Sequence, residues 1–428
     1  MRKPVQVTTI ILAGGQGTRL HPLTLNHSKP AVSYGGRYRL IDIPISNSIN
    51  SDFRNIFVIA QYLSGELEHH IQQTYHFDSF NPGSVDVLTP QENERGERHW
   101  FQGTADAIRK NLPTILKSSA DYFLILSGDQ LYNMNFQSMV DFAQEKRAEL
   151  TIASLPVTAQ EAKRMGLLKI DEDHNVVDFI EKPKEPHLMD PFLLDKTFFS
   201  NHESTLPDKN HYLASMGIYL FTREGLTGLL QQDSRNDFGY HLISTAVSRG
   251  KTAAFVYKGY WEDIGTVSSY YEANLNLTDA SRKLDTYDEK NPIFTRPTYL
   301  PGPKISSTRI CNSIICEGSI IEAEEISHSV IGLRSHIKKG TILRDCVMMG
   351  NHFYLPPTHQ NYPIPSNFWI GEDCLIEKAI IDEHVQIGNR VVLVNKDKLS
   401  HYDGNGIYIR DGIIIVTSGA VVPDGFVL

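Results

Sequence analysis

The last third of the chain places one aliphatic residue at every sixth position. The step recurs in four successive runs: Ile314, Ile320, Ile326; Ile331, Ile337, Leu343; Ile370, Ile376; and Ile381, Ile387, Leu393. A helix would repeat at three- and four-residue steps, and a simple strand would only alternate. The six-residue period therefore predicts a parallel β-helix, with each repeated aliphatic side chain pointing into the coil. An ordinary β-sandwich with coincidental spacing is the alternative.

Three polar or Pro-rich segments mark the organisation of this half. The repeat breaks at Asn351–Pro365, where we expect a loop leaving a corner of the coil, and again near Asn395–Gly406. A Pro-punctuated stretch, NPIFTRPTYLPGP, precedes the repeat and lacks a helical period. A chain of 428 residues predicts two or three domains at about 150 residues each. We place domains at 1–280 and 306–428, joined by a connector at 281–305.

The first part of the chain alternates short apolar runs with amphipathic stretches. The predicted strands are Thr8–Leu12, Asn55–Ala60, Tyr122–Leu126, Leu150–Leu155, Met216–Phe221 and Ala253–Tyr257. Several are almost continuously apolar, which is typical of strands covered on both faces. A helix is predicted to open at Thr104 and to bend or end at Pro113. This alternation predicts an α/β domain with a mostly parallel, Rossmann-like sheet.

Composition excludes several classes of protein. Lys and Arg number 41 against 50 Asp and Glu, a net charge of −9, which disfavours non-specific nucleic-acid binding. No apolar run reaches the ~18 residues of a membrane-spanning helix. No apolar signal core precedes Thr8, so we expect a bacterial cytoplasmic protein, or a processed plastid form. The cysteines do not have zinc-site spacing and are expected to be small buried hydrophobes: Cys311, Cys316, Cys346 and Cys374.

A glycine-rich turn follows the first strand, in LAGGQGTRL, residues 12–20. Glycines let backbone N–H groups approach an anion, and Arg19 offers a planar fork to phosphate. The turn is neither a Walker A loop nor a dinucleotide fingerprint, and a simple tight turn is the alternative. Ten residues on, Lys29 would complete a clamp for a polyphosphate leaving group.

Two acidic residues each follow an apolar strand. Asp129 stands just past Tyr122–Leu126, and Asp263 follows Ala253–Tyr257. Ligands of open α/β sheets bind at the carboxyl ends of the strands, where carboxylates are natural Mg²⁺ ligands. A turn or helix-capping Asp is the alternative.

A third motif, FIEKP, ends an extended segment with Glu181, Lys182 and Pro183. A lysine fixed before proline can serve as a positioned positive charge, and its acidic neighbour can bind sugar hydroxyls. A solvated turn with a surface ion pair is the alternative.

Taken in order, these motifs resemble the glucose-1-phosphate adenylyltransferase (ADP-glucose pyrophosphorylase) family over nearly the whole chain. The matching stretches are GGxGTRL, PLT…KPAV, YRLIDIPISN, WFQGTADA, GD, EKP, SMGIY, NDFG and YWEDIGT. The resemblance implies a nucleotidyltransferase domain followed by a left-handed parallel β-helix that serves oligomerisation and regulation. It also implies that ATP and α-D-glucose 1-phosphate give ADP-glucose and pyrophosphate for glycogen or starch synthesis.

The resemblance assigns roles residue by residue. Asp129 and Asp263 would hold Mg²⁺, and Arg19 and Lys29 would stabilise the departing pyrophosphate. Lys182 would bind the phosphate of glucose 1-phosphate. The sugar phosphate would contact Phe101, Gly166, Glu181, Lys182, Ser215 and, more weakly supported, Asp237. The nucleotide would contact Gly14, Gly15, Gly17, Thr18, Gln61, Trp100, Gly103 and Thr104.

The sequence departs from the family at His27, where Arg is more frequent, and at Gln130, where His is common. Both departures leave the turnover rate open, not the reaction class. Phe101 replaces the Tyr of enteric enzymes, as in the cyanobacterial and plant branch.

The family also implies a homotetramer under the control of phosphorylated metabolites. Arg37 aligns with an activator position of enteric enzymes, and Arg410 with one of the cyanobacterial and plant branch. Ser418 stands where that branch has a second lysine, which predicts weak or altered activation by 3-phosphoglycerate.

Three other functions remain open from the sequence. A sister enzyme would make GDP-mannose or a UDP- or dTDP-sugar, and a regulatory subunit would bind effectors without turnover. An acyltransferase is the third, because six-residue solenoids often serve that chemistry. Its candidate histidines, His328, His336 and His384, are more typical of surface residues at coil corners.

Overall fold

A computed structural model describes residues 5–91, 100–195, 198–199, 210–281, 283–355, 365 and 367–428. The strands of its N-terminal part are β1 Val7–Leu12, β2 Ser33–Tyr34, β3 Tyr38–Arg39, β4 Asn55–Ile59, β5 Ser84–Leu88, β6 Tyr122–Ser127, β7 Gln130–Tyr132, β8 Leu150–Thr158, β9 Gly166–Ile170, β10 Val176–Glu181, β11 His211–Thr222, β12 Thr252–Val256 and β13 Trp261–Asp263. All six predicted strands are present, with their cores where the apolar runs lie.

The α-helices between these strands are α1 Asp42–Asn50, α2 Ser64–Thr74, α3 Thr104–Ile115, α4 Phe136–Lys146, α5 Ala159–Ala162, α6 Pro186–Met189, α7 Arg223–Gln232, α8 Ser244–Ser248 and α9 Val267–Leu275. Short 3₁₀ turns cover Thr18–Leu20, Lys29–Ala31, Asp190–Phe192 and Asn276–Thr278, and a π-helix covers Phe238–Ile243. Helix α3 begins at Thr104 as predicted and continues two residues past Pro113.

The main sheet has the strand order β10-β9-β11-β6-β1-β4-β5, and β8 joins β11 to β12. Strands β6, β1, β4 and β5 are parallel, as are β8 and β12. Strand β11 runs antiparallel to β6, β8 and β9, and β9 pairs antiparallel with β10. The parallel part carries the predicted Rossmann-like pattern, and the antiparallel part adds a second wall beside it.

The C-terminal part is a parallel β-helix. Its strands are β14 Lys304–Ile305, β15 Arg309–Cys311, β16 Ile314–Ile315, β17 Ile320–Ile321, β18 Glu325–Ser327, β19 Val330–Ile331, β20 His336–Ile337, β21 Ile342–Met348, β22 Trp369–Ile370, β23 Leu375–Ile381, β24 Gln386–Ile387, β25 Val392–Leu393, β26 His401–Asp403, β27 Ile407–Arg410, β28 Ile413–Val416 and β29 Val421–Val422. Successive coils stack in register, for example Ile321 on Ile337. The six-residue period was therefore a correct signal for this architecture.

The predicted phase is wrong in the first coil. Ile314 and Ile320 are only half-buried, whereas Ile321 is fully buried and Ile315 packs against the interior. From Ile326 onward the predicted aliphatic residues point inward. Both positions of each Ile-Ile pair are aliphatic, so the sequence could not choose between them.

Residues 356–364 of the first interruption lie outside the described part of the chain. In the second interruption, β26 begins an antiparallel meander with β27 and β28. It returns the chain to the coil at β28, which stacks on β23.

The two parts of the chain share an apolar cluster. Helix α9 contributes Tyr270 and Tyr271, and the β-helix contributes buried residues that include Ile380 and Ile415. The Tyr271 hydroxyl also donates to the Asp345 carbonyl at 2.7 Å. Burial of this surface fixes the β-helix against the N-terminal part of the chain. Within the described residues, none of the helices is long and apolar enough to cross a membrane.

The phase of the first coil is testable by a pair of adjacent substitutions. Ile321→Ala is expected to lower the free energy of unfolding by roughly 2–5 kcal/mol, because it leaves a cavity in a closely packed coil. Ile320→Ala removes the same atoms from a half-buried position and should cost clearly less. Urea denaturation followed by circular dichroism measures both, and an equal or larger loss for Ile320→Ala would contradict the assigned phase.

Candidate active site

Parallel register brings three predicted motifs to one edge of the sheet. Leu12 of β1 pairs with Ile59 of β4 and with Ser127 of β6. The residues that follow these strand ends are the glycine-rich turn, Gln61 and Asp129. They meet at the carboxyl edge, where ligands of such sheets bind.

Asp129 is held by two neighbours at this edge. Its carboxylate forms an ion pair with Lys29 and accepts a hydrogen bond from the Ser127 hydroxyl. Lys29 is buried and lies in the 3₁₀ turn Lys29–Ala31. The predicted cation and the predicted acid are therefore direct partners.

Asp263 reaches the same place through a separate two-stranded ribbon. Strand β13 pairs antiparallel with β7, which sets Asp263 opposite Gln130. The backbone N–H of Ile264 also donates to the Asp129 carbonyl at 3.2 Å. This pairing joins two acids that are 134 positions apart in the printed sequence.

The two carboxylates influence each other electrostatically. Asp263 is exposed to solvent, although nearby protein atoms remove part of its hydration. This desolvation and the charge of Asp129 raise the pKa of Asp263. Lys29, Arg19 and Arg164 oppose the rise. A pair of carboxylates that resists double ionisation is suited to a cation, and Mg²⁺ needs only one or two protein carboxylates when phosphates are also ligands.

The glycine-rich turn is packed beside two predicted phosphate-binding residues, Lys29 and Arg19. Gly17 has a left-handed φ of 65°, and a Cβ there would lie 3.1 Å from the Lys29 Cβ. Arg19 lies beside Gly265, where a Cβ would be 3.4 Å from Arg19 Nη1 and 3.1 Å from Asp263 Oδ2. A side chain at Gly17 or Gly265 would therefore push on the clamp. Thr18 opens the 3₁₀ turn that carries Arg19.

Gln61 connects the turn to the segment that follows residue 99. Its amide nitrogen donates to the Gly14 carbonyl at 3.0 Å, and its oxygen accepts from the Phe101 N–H at 3.0 Å. Gly15 has open space around its Cα. Trp100 is exposed and stacks on Tyr62 at 5.0 Å between ring centroids.

Gly103 and Thr104 at the start of α3 face the π-helix segment. A Cβ at Gly103 would lie 2.4 Å from the Asn236 carbonyl oxygen, so only glycine fits. Thr104 Oγ1 accepts a hydrogen bond from the Phe238 N–H at 3.0 Å. In the described structure both residues thus support the wall of the cleft.

A second cation–carboxylate pair lies on the antiparallel wall. Lys182 Nζ is 3.0 Å from Glu181 Oε1, and Glu181 is largely buried. Burial raises the pKa of Glu181, Lys182 lowers it, and Asp237 raises it further. The alternative of a surface ion pair is therefore wrong for Glu181, although Lys182 itself is exposed.

A proline favours an extended backbone at the residue before it, but the backbone at Lys182 is not extended. Its φ is 48°, in the left-handed region, and its N–H donates to the Met165 carbonyl at 3.1 Å. Such a conformation in a non-glycine residue costs of order 1–3 kcal/mol and is typical of functional sites. Gly166 follows Met165, and a Cβ there would lie 2.6 Å from Glu181 Oε2.

Ser215 and Asp237 complete this group. Ser215 Oγ donates to Tyr219 Oη at 3.4 Å and accepts from the Gly217 N–H at 3.2 Å, inside a bulge of β11. Asp237 Oδ1 caps the π-helix by accepting from the Tyr240 N–H at 2.8 Å. Tyr219 is partly buried, and desolvation and the Glu181 charge raise its pKa.

Sequence reasoning missed two links between the halves of the site. Gln130 is buried, and its amide nitrogen donates to the Met216 carbonyl at 2.9 Å, tying the metal-side ribbon to the β11 bulge. Arg164 is exposed near Asp263 and stands two residues before Gly166. The basic residues just before Gly166 were the available signal for Arg164, whereas nothing local marks Gln130 as a link.

The two predicted regulatory arginines lie in separate ion pairs. Arg37 Nη1 is 2.9 Å from Glu317 Oε1 of the β-helix. Arg410 Nη2 is 2.5 Å from Asp403 Oδ1, and its guanidinium lies over the Tyr408 ring. An anionic ligand at either arginine would compete with a carboxylate.

Two expectations for the β-helix are wrong. Cys311 is exposed, unlike the other three cysteines, because the first coil has no coil below to cover it. His384 is not a surface residue: its ring stacks on Phe353 at 4.7 Å, and burial lowers its pKa to about 4. His328 does face solvent and pairs with Asp345 at 2.6 Å.

His27 lies in a buried polar junction between the two parts of the chain. Its Nδ1 forms an ion pair with Glu66 of α2. Burial alone would lower the pKa of His27, but Glu66, Glu383 and Asp382 raise it to about 9. Burial raises the pKa of Asp382 to about 6, with His27 opposing.

The described fold agrees with comparisons against protein families. The family described as nucleotidyl transferase matches residues 8–280, and the family described as GLGC left-handed parallel β-helix domain matches residues 298–427. The first match spans more than half of the chain, which therefore belongs to the nucleotidyl transferase family. The predicted fold class, a mostly parallel α/β domain followed by a left-handed parallel β-helix, is confirmed.

The pKa of His27 predicts how stability depends on pH. Its folded-state value of about 9 exceeds the ordinary 6.5, so its stabilisation is complete below pH 6.5 and is lost as pH rises through 9. His27→Gln should therefore lower the free energy of unfolding by about 3 kcal/mol at pH 6.5 and by little at pH 10. Urea midpoints across this range measure the difference, with exposed His401→Gln as control. A pH-independent effect of His27→Gln would contradict the assignment.

Proposed function

We propose that the protein transfers an adenylyl group from ATP to α-D-glucose 1-phosphate, giving ADP-glucose and pyrophosphate. The observation that carries this proposal is the grouping of Asp129, Asp263, Lys29 and Arg19 at one sheet edge. Lys182 and Glu181 stand on the adjoining wall. The left-handed β-helix domain described as GLGC favours the ADP-glucose branch among nucleotidyl transferases.

The proposed reaction needs charge neutralisation and alignment more than covalent chemistry. The sugar phosphate oxygen attacks the α-phosphorus of ATP in line, and pyrophosphate leaves. Lys29 and Arg19 stabilise the charge that develops on the leaving group. Lys182 holds the phosphate of the sugar substrate as a fixed cation. Holding both substrates in this geometry supplies much of the rate enhancement.

The carboxylates fit a magnesium ion at this edge. Asp129 and Asp263 offer hard oxygen ligands, and their mutual repulsion is relieved by a cation between them. Mg²⁺ held there supplies neutralisation of phosphate charge and polarises phosphoryl oxygens. In the described structure Lys29 contacts Asp129. We propose that the same ammonium group neutralises the negative charge that develops on the departing pyrophosphate.

We further propose, from the family resemblance, a cytoplasmic homotetramer that serves glycogen or starch synthesis and responds to phosphorylated metabolites. Arg37 and Arg410 are the proposed effector contacts. Ser418 supplies no charge where a second lysine would, so 3-phosphoglycerate should activate weakly.

One prediction of the proposed function concerns the choice of nucleotide and the proposed metal ligand Asp129. Pyrophosphate release is measured with glucose 1-phosphate and Mg²⁺, supplying ATP, UTP, GTP, CTP or dTTP in parallel. ATP-selective release is expected, and Asp129→Ala should reduce it by about 10²–10³-fold because a charge-stabilising group is lost. Asp141→Ala, on the exposed face of α4, is the matched control.

Each other outcome points to a different function. Release with another nucleotide would move the protein to a sister sugar nucleotide. No release with any nucleotide, effectors included, would favour a regulatory subunit. Consumption of acetyl-CoA with a sugar acceptor would instead indicate acyl transfer.

Another prediction of the proposed function separates the binding of the two substrates. Lys182→Ala should raise the KM for glucose 1-phosphate by roughly 10- to 100-fold, because a charge-assisted phosphate contact is lost. The KM for ATP should stay near the wild-type value. Lys184→Ala, exposed two residues away, is the control. A parallel rise in both KM values would contradict the assignment of Lys182 to the sugar phosphate.

A further inference from the structure

The turn that carries Lys29 is tied to the β-helix through Arg39. The Arg39 guanidinium donates to the Ala31 carbonyl, the last residue of that turn. Its other terminal nitrogen, Nη2, lies 3.1 Å from His352 Nε2 and 3.9 Å from Glu383 Oε1, both in the β-helix part of the chain. Arg39 therefore links the turn of the proposed catalytic lysine to Glu383, which stands 344 positions after Arg39 in the printed sequence.

Glu383 is a buried negative charge at a corner of the coil. It lies between β23 and β24, and its side chain is 6% exposed. His352 Nε2 is 3.3 Å from Glu383 Oε2. Burial alone would raise the pKa of Glu383, but His352, Arg39 and His27 hold it well below the ordinary range. The carboxylate is therefore ionised at neutral pH.

The coil corner at Asp382 and Glu383 also lies near His27, in the segment just before the Lys29 turn. His27 precedes Lys29 by two residues, and its Nε2 is buried without a hydrogen-bond partner among the described residues. Glu383 and Asp382 act on this histidine through their charges. Asp382 accepts from the Ser418 N–H at 3.2 Å and from its neighbour Glu383 at 2.7 Å, so the corner itself is rigidly bonded.

We propose that Glu383 is a positioning residue: a buried anion supplied by the β-helix that fixes the Lys29 turn through Arg39. The proposal rests on the proposed function, since its consequence is alignment of Lys29 with the leaving group. Without the anion, Arg39 keeps a buried positive charge that no longer has its partner, and its hold on the Ala31 carbonyl loosens. Lys29 then loses its place beside Asp129.

Steady-state kinetics of Glu383→Gln tests this with little change of shape. The kcat should fall roughly 10- to 100-fold, as expected when a reacting group is misplaced by about 1 Å. The KM for glucose 1-phosphate should change little, because Lys182 lies elsewhere. Glu383→Asp should retain more activity than Glu383→Gln. The matched control is Glu377→Gln, a β-helix carboxylate whose Oε1 lies 2.9 Å from Arg344 Nη1 within the same coil stack.

Chemical rescue distinguishes positioning from general stability. Glu383→Ala leaves a space beside the Arg39 guanidinium, and sodium acetate should restore part of its kcat. Sodium chloride at equal ionic strength should not. Equal responses to both salts, or unchanged kcat in Glu383→Gln, would overturn the proposal.

Hydrogen exchange gives a readout that does not need turnover. Amides of residues 29–41 should exchange faster in Glu383→Gln than in wild type or Glu377→Gln. If wild type releases no pyrophosphate with any nucleotide, the proposed function fails, and this exchange difference still decides the role of Glu383. Unchanged exchange would overturn it.

Discussion

The ion pair between Lys29 and Asp129 is the contact on which the rest of the site depends. Asp129 comes from the end of β6, and Lys29 comes from a turn 100 positions earlier. Two carboxylates close together repel, and a positive charge nearby offsets the repulsion between Asp129 and Asp263. Lys29 provides it, and Gly17 lets the glycine-rich turn pack closely enough to hold Lys29 there. The same cations that stabilise the protein's own acids are thereby placed where phosphate charge would develop.

Strand order explains why a second binding wall stands beside this edge. Strand β11 lies next to β6, and β9 and β10 follow it outward, so the strand that ends at Glu181 belongs to the same sheet as the parallel strands. Gln130 joins the two halves by a single buried hydrogen bond to the β11 bulge. A buried amide of this kind costs free energy if its partner moves, so the distance between the two halves is tightly constrained.

Much of this arrangement follows from local sequence, and the remainder depends on long-range pairing. Continuous apolar runs such as IFVIA located the parallel strands, and glycines and acids after them located the edge. The β9–β10 hairpin, the left-handed Lys182 and the role of Gln130 carry no such signal, because tertiary contacts with Met165 and Met216 determine them. In the β-helix the sequence showed the six-residue period, but in the first coil the Ile-Ile pairs did not show which isoleucine points inward.

The junction between the domains was the least predictable part, and it explains why the β-helix is placed where it is. Arg39 of the N-terminal domain meets Glu383 of the β-helix there, whereas His27 pairs with Glu66 inside the N-terminal domain and is influenced by the charges of Asp382 and Glu383. A buried charge without its partner costs several kcal/mol, so separating the domains at this point would leave Arg39 and Glu383 without each other. The apolar contact through α9 holds the β-helix in place, and the contact of Arg39 with Glu383 links it to the turn that carries Lys29. The coil corner that carries Glu383 is therefore bonded to the candidate active site, rather than attached to it as a separate module.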